Sequence, residues 1–212
     1  MVSLLERRGV VGRGRRVLDL ACGSGRHAQA LEAAGALVTG VDLSMVQLRS
    51  ARSRGLARLA QADMRIIPIR TGSMDAVVNL FTSFGYFDTD DEHAAVLAEV
   101  GRVLRPGGAF AMDFLNAPLV RATLVPRDEK SVSGRRVVQE RRISDGGRFV
   151  IKEIHLEGEQ EPFVERVRLL SRQDLEAMAR AAHLTVDDVL GDYEGAPHTD
   201  TTPRVLMLAR RS

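Results

Sequence analysis

Several things are scarce in this chain of 212 residues, and each scarcity excludes something. Cys22 is the only cysteine. No intrachain disulfide or cysteine metal cluster can therefore form, and a reducing, cytoplasmic location is the default expectation. Tryptophan is absent and aromatics make up 4%, which leaves little for the base-stacking surfaces of nucleic-acid binding proteins. No apolar run approaches the roughly 20 residues of a membrane span, and the opening MVSLLERRGVVGRGRR lacks the apolar core of a signal peptide. Neither charge dominates, since 30 basic against 28 acidic residues leave a net +2. Arginine clusters such as Arg13, Arg15 and Arg16 then read as solvated loops rather than a polyanion surface.

What is present is concentrated between Val17 and Ala28, VLDLACGSGRHA. Val17, Leu18 and Leu20 suit a buried parallel strand. Asp19 interrupts that run, and a buried acid needs a reason. Gly23 and Gly25 permit a tight turn and close approach of a ligand to the backbone. From Arg26 the pattern turns helical, with Gly35 as a C-terminal stop. Strand, turn and helix N-terminus together offer free backbone N–H groups.

Alone, Gly23 to Ala28 also fits the dinucleotide pattern G-x-G-x-x-A. The next apolar run, Val38 to Val41, ends in Asp42, an acid placed to accept from both hydroxyls of a ribose. Asp19 separates the ligands. A carboxylate beside the glycines would repel a pyrophosphate, whereas S-adenosylmethionine has no phosphate and carries a cationic sulfonium and an ammonium.

These residues resemble the class I S-adenosylmethionine-dependent methyltransferases. The likeness continues through VTGVDLS (Val38–Ser44), QADM (Gln61–Met64), MDAVVNLFTSFGYF (Met74–Phe87) and VLRPGGAFAMDFLN (Val103–Asn116). It implies an α/β fold, with a doubly wound, mostly parallel seven-stranded Rossmann-like sheet. It also implies that Asp19, Ala21, Gly23, Gly25, Asp42, Leu43, Asp63, Met64 and Asn79 bind S-adenosyl-L-methionine and its product S-adenosyl-L-homocysteine. Family members usually carry a longer N-terminal segment over the cofactor than the sixteen residues before strand one here, which leaves open what closes the site.

Along the chain, Ser3 and Glu6 suggest a capped helix over residues 3–8. Strands follow at about 16–20, 37–41, 56–61 and 74–80, with Ser44 and Gln47 starting a helix between the second and third. A helix from Thr89 to about Leu104 should be stopped by Arg105-Pro106-Gly107-Gly108, before a fifth strand from Ala109 to Phe114. Residues from about 130 to 170 read as an antiparallel insertion of three or four strands, with Asp145-Gly146-Gly147 as a hairpin signal. The flanking parts, 1–129 and 171–212, would form the core of a single methyltransferase domain. Ser171 caps a further helix, and Leu184–Asp188 with Arg204–Ala209 close the sheet.

Methyl transfer from a sulfonium is an in-line displacement, so the acceptor pocket matters more than a catalytic triad. After strand four the chain lacks the Asn/Asp-Pro-Pro-aromatic motif of nucleobase and glutamine-amide methyltransferases. Its FTSFGYF instead resembles small-molecule enzymes, the sugar-amine N-methyltransferases among them. Phe81, Phe84 and Tyr86 are the candidates for the acceptor, with Tyr86 orienting it. His155 is the base to consider for an oxygen acceptor, against an exposed polar face shared with Glu153 and Glu157. No cluster has metal-ligand spacing. The partner expected is a small-molecule acceptor. Exposed strand edges in the insertion favour pairing, which puts a homodimer slightly ahead of a monomer. The alternatives are a non-catalytic S-adenosylmethionine-binding module and an NAD-dependent oxidoreductase.

Overall fold

The computed structural model describes residues 1–144 and 146–212, so the Asp145 part of the hairpin signal lies outside the described residues. Among the described residues there are two sheets. In the larger, β1 (Arg16–Leu20) lies between β2 (Leu37–Asp42) and the central β4 (Met74–Asn79), parallel to both, with β3 (Leu59–Gln61) at one edge. Beyond β4 come β5 (Leu104–Leu115), parallel to it, then β11 (Arg204–Arg211), antiparallel to β5, and β10 (Leu184–Leu190), antiparallel to β11. The order β10-β11-β5-β4-β1-β2-β3 reverses direction of travel at β1, and the crevice beyond the strand ends at that switch is where such sheets bind ligands.

Val17, Val38, Ala76 and Val78 are buried on one face of this sheet and Leu18, Leu20, Val77 and Phe110 on the other. That two-faced burial explains why the strands read as continuous apolar runs rather than alternating ones. The first face is covered by α2 (Arg26–Ala33), α3 (Met45–Ser53) and the amino-terminal α1 (Val2–Arg7), whose Leu4 and Leu5 are buried there with Val10 and Val11. The segment 9–15 between α1 and β1 thus supplies two core side chains. The second face is covered by α4 (Asp90–Val103) and α6 (Arg172–Ala181). Capping boxes start both, Thr89 with Glu92 and Ser171 with Asp174, each satisfying orphan N–H groups.

Three local expectations need correction. The cap of α1 is Met1, and Ser3 lies inside the helix without a capping bond. At the end of α4 the chain turns extended at Leu104, so Arg105 to Gly108 fall within the bounds of β5. The cause is a local expansion of the ladder: Met74 faces Leu104, but Ala76 already faces Ala109. The short α5 (Ala117–Thr123), entered through Pro118, went unread because it has barely two turns.

The second sheet is an antiparallel meander of β6 (Arg127–Val132), β7 (Arg135–Ile143), β8 (Phe149–Leu156) and β9 (Phe163–Arg168). It is tied to the body beside β4. The Arg168 N–H donates to the Gly85 carbonyl (2.7 Å). A Cβ on Gly85 would stand 2.9 Å from Val167, so only glycine, at φ +98°, lets the two segments approach this closely. Among the described residues no helix is long and apolar enough to cross a membrane.

Candidate active site

The glycine turn is built around two acids. Asp42, at the tip of β2, accepts from the Gly23 N–H through Oδ2 (2.7 Å) and from the Ser44 N–H through Oδ1 (2.8 Å). It therefore holds the turn and the start of α3 together, and each oxygen keeps a lone pair for a ligand hydroxyl. Gly23 has φ +53° and open space where a side chain would stand. Gly25, at φ +80°, packs instead: a Cβ there would lie 2.2 Å from Leu56 Cδ1. One glycine exposes backbone to a ligand and the other brings the helix against its neighbours.

Asp19 is 2% exposed, and its Oδ2 has no partner. Its other support is the Ala28 N–H in the first turn of α2. Burial, then the nearby Asp42 charge, push its carboxyl up to about 7. A cationic group brought alongside would reverse that, because an opposite charge favours the ionised form. Asn79 shows a related deficit, since its Nδ2 donates to the Leu20 carbonyl (2.9 Å) while its buried Oδ1 is unpartnered.

A cavity of about 700 Å³ opens above this turn. Ala21, Gly23, Asp42, Leu43, Asp63, Met64, Phe81 and Tyr86 line it. Asp19, Gly25 and Asn79 are not among the residues that line it. Asp63 is engaged by its own neighbour: the Arg65 side chain forks onto it (2.6 Å from Nη2), reaches Glu92 (2.5 Å) and lies 4.7 Å over the Phe87 ring. That hydrogen-bonded guanidinium holds the Asp63 carboxyl below the usual range.

A second cavity, of about 620 Å³, lies between the ends of β5 and β11 (Leu115, Arg204), the helix α5 and the inner face of the second sheet. Phe81, Thr82 and Tyr86 border both cavities. This partition is strained, because Phe81 and Thr82 adopt left-handed backbone at φ +61° and +59°, a cost of about 1–3 kcal/mol each outside glycine. Asp113 pins it. Its Oδ2 accepts from the Phe81 N–H (3.1 Å) and the Tyr193 hydroxyl (2.9 Å), and its carbonyl from the Thr82 N–H (3.0 Å). Arg204 joins Asp113 Oδ1 (2.6 Å) to the Thr82 hydroxyl (2.7 Å). The Phe81 ring, 63% exposed, has the Arg26 guanidinium 4.7 Å from its centroid.

Two expected site residues sit elsewhere. Phe84 is fully buried, edge-on to Phe114 and His93, so it packs the core rather than shaping a pocket. His155 pairs with Val138 on β7. By the two-residue period it faces away from Lys152 and Arg141, which line the cavity. On that outer face His155, Glu140 and Glu153 bring ligand atoms within 4.8 Å of one another, although Glu140 is paired to Arg127 and Glu153 to Arg142. Two strands, β7 and β8, supply this grouping, so no spacing within one stretch of sequence reveals it. Asp113, Arg204, Tyr193 and Thr82 were also missed. For Asp113 a signal existed: an acid inside the apolar FAMDFL run poses the same question as Asp19.

A seven-stranded sheet of this order, with an acid at the tip of β2, an open glycine turn and an unpartnered buried carboxylate at its switch point, marks a protein of the Rossmann-like, nucleoside-binding kind. The family model described as a methyltransferase domain matches residues 17–108. The cypemycin N-terminal methyltransferase of a Streptomyces species is 31% identical over 206 residues, covering 93% of this chain and 84% of that protein. A sugar N-methyltransferase from a Streptoalloteichus species has 25% identity and a TM-score of 0.75, covering 99% of this chain and 84% of the other. An S-adenosylmethionine-dependent methyltransferase from Clostridium acetobutylicum matches with a TM-score of 0.83 at 23% identity, over 99% and 88% of the two chains. The chain belongs to the S-adenosylmethionine-dependent methyltransferases. The site fits that cofactor: Asp42 suits the ribose hydroxyls, and the Asp19 carboxylate and Gly23 backbone suit a zwitterionic amino-acid end. When bound, the cofactor supplies an electrophilic sulfonium methyl.

Proposed function

We propose that the chain methylates the nitrogen of a small-molecule amine held in the second cavity. The observation that carries this reading is the shared partition of Phe81, Thr82 and Tyr86, which lets an acceptor on one side reach a methyl on the other. Apolar side chains (Leu115, Val120, Leu124, Val125, Val150) make up much of the acceptor wall and exclude water from the reacting pair. Among the described residues that wall carries no histidine or cysteine. A neutral amine brings its own lone pair and needs alignment more than deprotonation. Tyr86 is half-exposed, and partial burial followed by the Glu165 charge keeps its hydroxyl protonated above the usual tyrosine range, so it serves as a donor that orients the acceptor. The Streptomyces and Streptoalloteichus proteins, an N-terminal methyltransferase and a sugar N-methyltransferase, support nitrogen over oxygen.

The test is transfer of labelled methyl to a panel of amines and matched alcohols, with and without chelator. Chelator-resistant transfer to amines is expected. Tyr86→Ala should lower the rate by roughly 10²-fold through lost alignment, with His155→Ala nearly silent. Transfer to alcohols alone, collapse in His155→Ala, or cofactor binding without any turnover would each sink the reading. We also propose that the second sheet, with exposed Phe163 and Val164 on its edge strand β9, pairs two copies of the chain. A monomer by light scattering would end that idea.

A further inference from the structure

The inner face of the second sheet carries an unusual row of charge. Across its four strands stand Asp128 on β6, Arg141 on β7, Lys152 on β8 and Glu165 on β9, and all four line the acceptor cavity. Arg141 and Lys152 are direct cross-strand partners, an arrangement of like charges that destabilises a sheet. Each cation is compensated only on its outer side. The Arg141 Nη1 donates to Asp128 (2.8 Å) and the Lys152 ammonium to Glu165 (3.0 Å). Between the two cations no acid stands, and Arg141 leaves its Nε–H without a hydrogen bond among the described residues. Both cations are partly buried, with side-chain exposures of 20% and 28%, so solvent screens their mutual repulsion only in part.

We propose that Arg141 and Lys152 form a subsite for an anionic group of the acceptor, so that the substrate class is an amine also bearing a carboxylate or phosphate. An oxyanion between the two strands would meet a donor from each and remove the like-charge opposition while both cations keep their own acids. The amine fits at the border with the first cavity, because Tyr86 lines both cavities and stands where a nitrogen would meet the methyl. Tyr86 at that border would thus take the neutral amine, and the two cations on the second sheet the anion. This deepens the amine reading and rests on it for the position of the cavity's occupant.

The experiment compares 6-aminohexanoate, 6-aminohexyl phosphate and hexylamine as ligands of the protein saturated with S-adenosylhomocysteine, by calorimetry. The wild type should bind at least one of the two anionic amines tenfold or more tighter than hexylamine, and the better one identifies the anion. In Arg141→Gln and Lys152→Gln the preference should fall below threefold. Their affinity for S-adenosylhomocysteine, measured alongside, should match the wild type and so verify folding. Equal binding of the three amines by wild type, or a preference that survives in both variants, overturns the subsite. Labelled-methyl transfer to the same compounds tests the amine reading separately: tight binding of an anionic amine without transfer would retain the subsite and sink amine methylation.

Discussion

At the glycine turn the polar groups are few, buried and partly unpaired; on the second sheet they are many, exposed and paired. Asp19 has no partner for one oxygen and is nearly sealed from water. On the sheet's outer surface Arg136 grips Glu129 at 2.6 Å and Arg127 meets Glu140 at 3.2 Å, each side chain about half exposed. The same carboxylates do different work in the two places. Exposed pairs contribute about 0–1 kcal/mol, whereas a lone buried acid carries a desolvation cost that a cationic ligand can relieve. A charge that destabilises the empty protein marks a binding site better than several that are satisfied.

The largest expected effect separates two neighbours in one segment. Phe84→Ala should cost about 3–5 kcal/mol of stability, the scale for emptying a fully buried aromatic, measured by urea unfolding. Phe81→Ala, on the exposed partition, should stay within about 1 kcal/mol by the same measurement. Similar losses in both would erase the distinction between core and partition.

Next comes the pH behaviour of Asp19. Its carboxyl titrates near 3.8 when unfolded and at about 7 when folded, so between those values the folded chain holds a proton that the unfolded chain has released. Stability of the cofactor-free protein should therefore fall as pH rises through this window, by up to about 4 kcal/mol. Asp19→Asn should lose that part of the slope, be more stable than wild type at pH 8 and bind cofactor less tightly. Unfolding curves at pH 5 and pH 8 decide it, and equal slopes in both proteins would refute the account.

Asp42→Ala should weaken cofactor binding by about 1–3 kcal/mol, the cost of charge-assisted hydrogen bonds; unchanged affinity by calorimetry would remove the ribose assignment. The smallest effect belongs to the outer sheet. Arg136→Ala should change stability by less than about 1 kcal/mol, and less still in high salt. A multi-kilocalorie loss would mean that these exposed pairs hold the sheet together.

Legibility divided along the same line. The strand, glycine turn, helix and Asp42 could be read because one continuous stretch supplies them and local backbone needs dictate residue type. The seven-stranded sheet was implied by the family resemblance, whereas alternation of strand and helix points only to a parallel sheet. His155 could be placed on one face of a strand by its two-residue period, but that period does not say which face meets the body. Phe81 and Phe84 look alike in sequence, and only the left-handed turn between β4 and α4 sends one ring outward and the other into the core. Arg204 and Tyr193 meet Asp113 from 91 and 80 positions away, a junction that no local pattern encodes.

Cys22 offers a use that follows from its burial. Its sulfur packs against Gly40, where a Cβ would come within 2.7 Å, and burial with the flanking Asp19 and Asp42 charges pushes the thiol up to about 12. A thiol reagent needs thiolate and access, and the closed turn denies it both. The chain's one cysteine can therefore serve as a stopwatch: its labelling rate counts openings of the glycine turn, and the slowing caused by added cofactor measures how firmly the turn is latched.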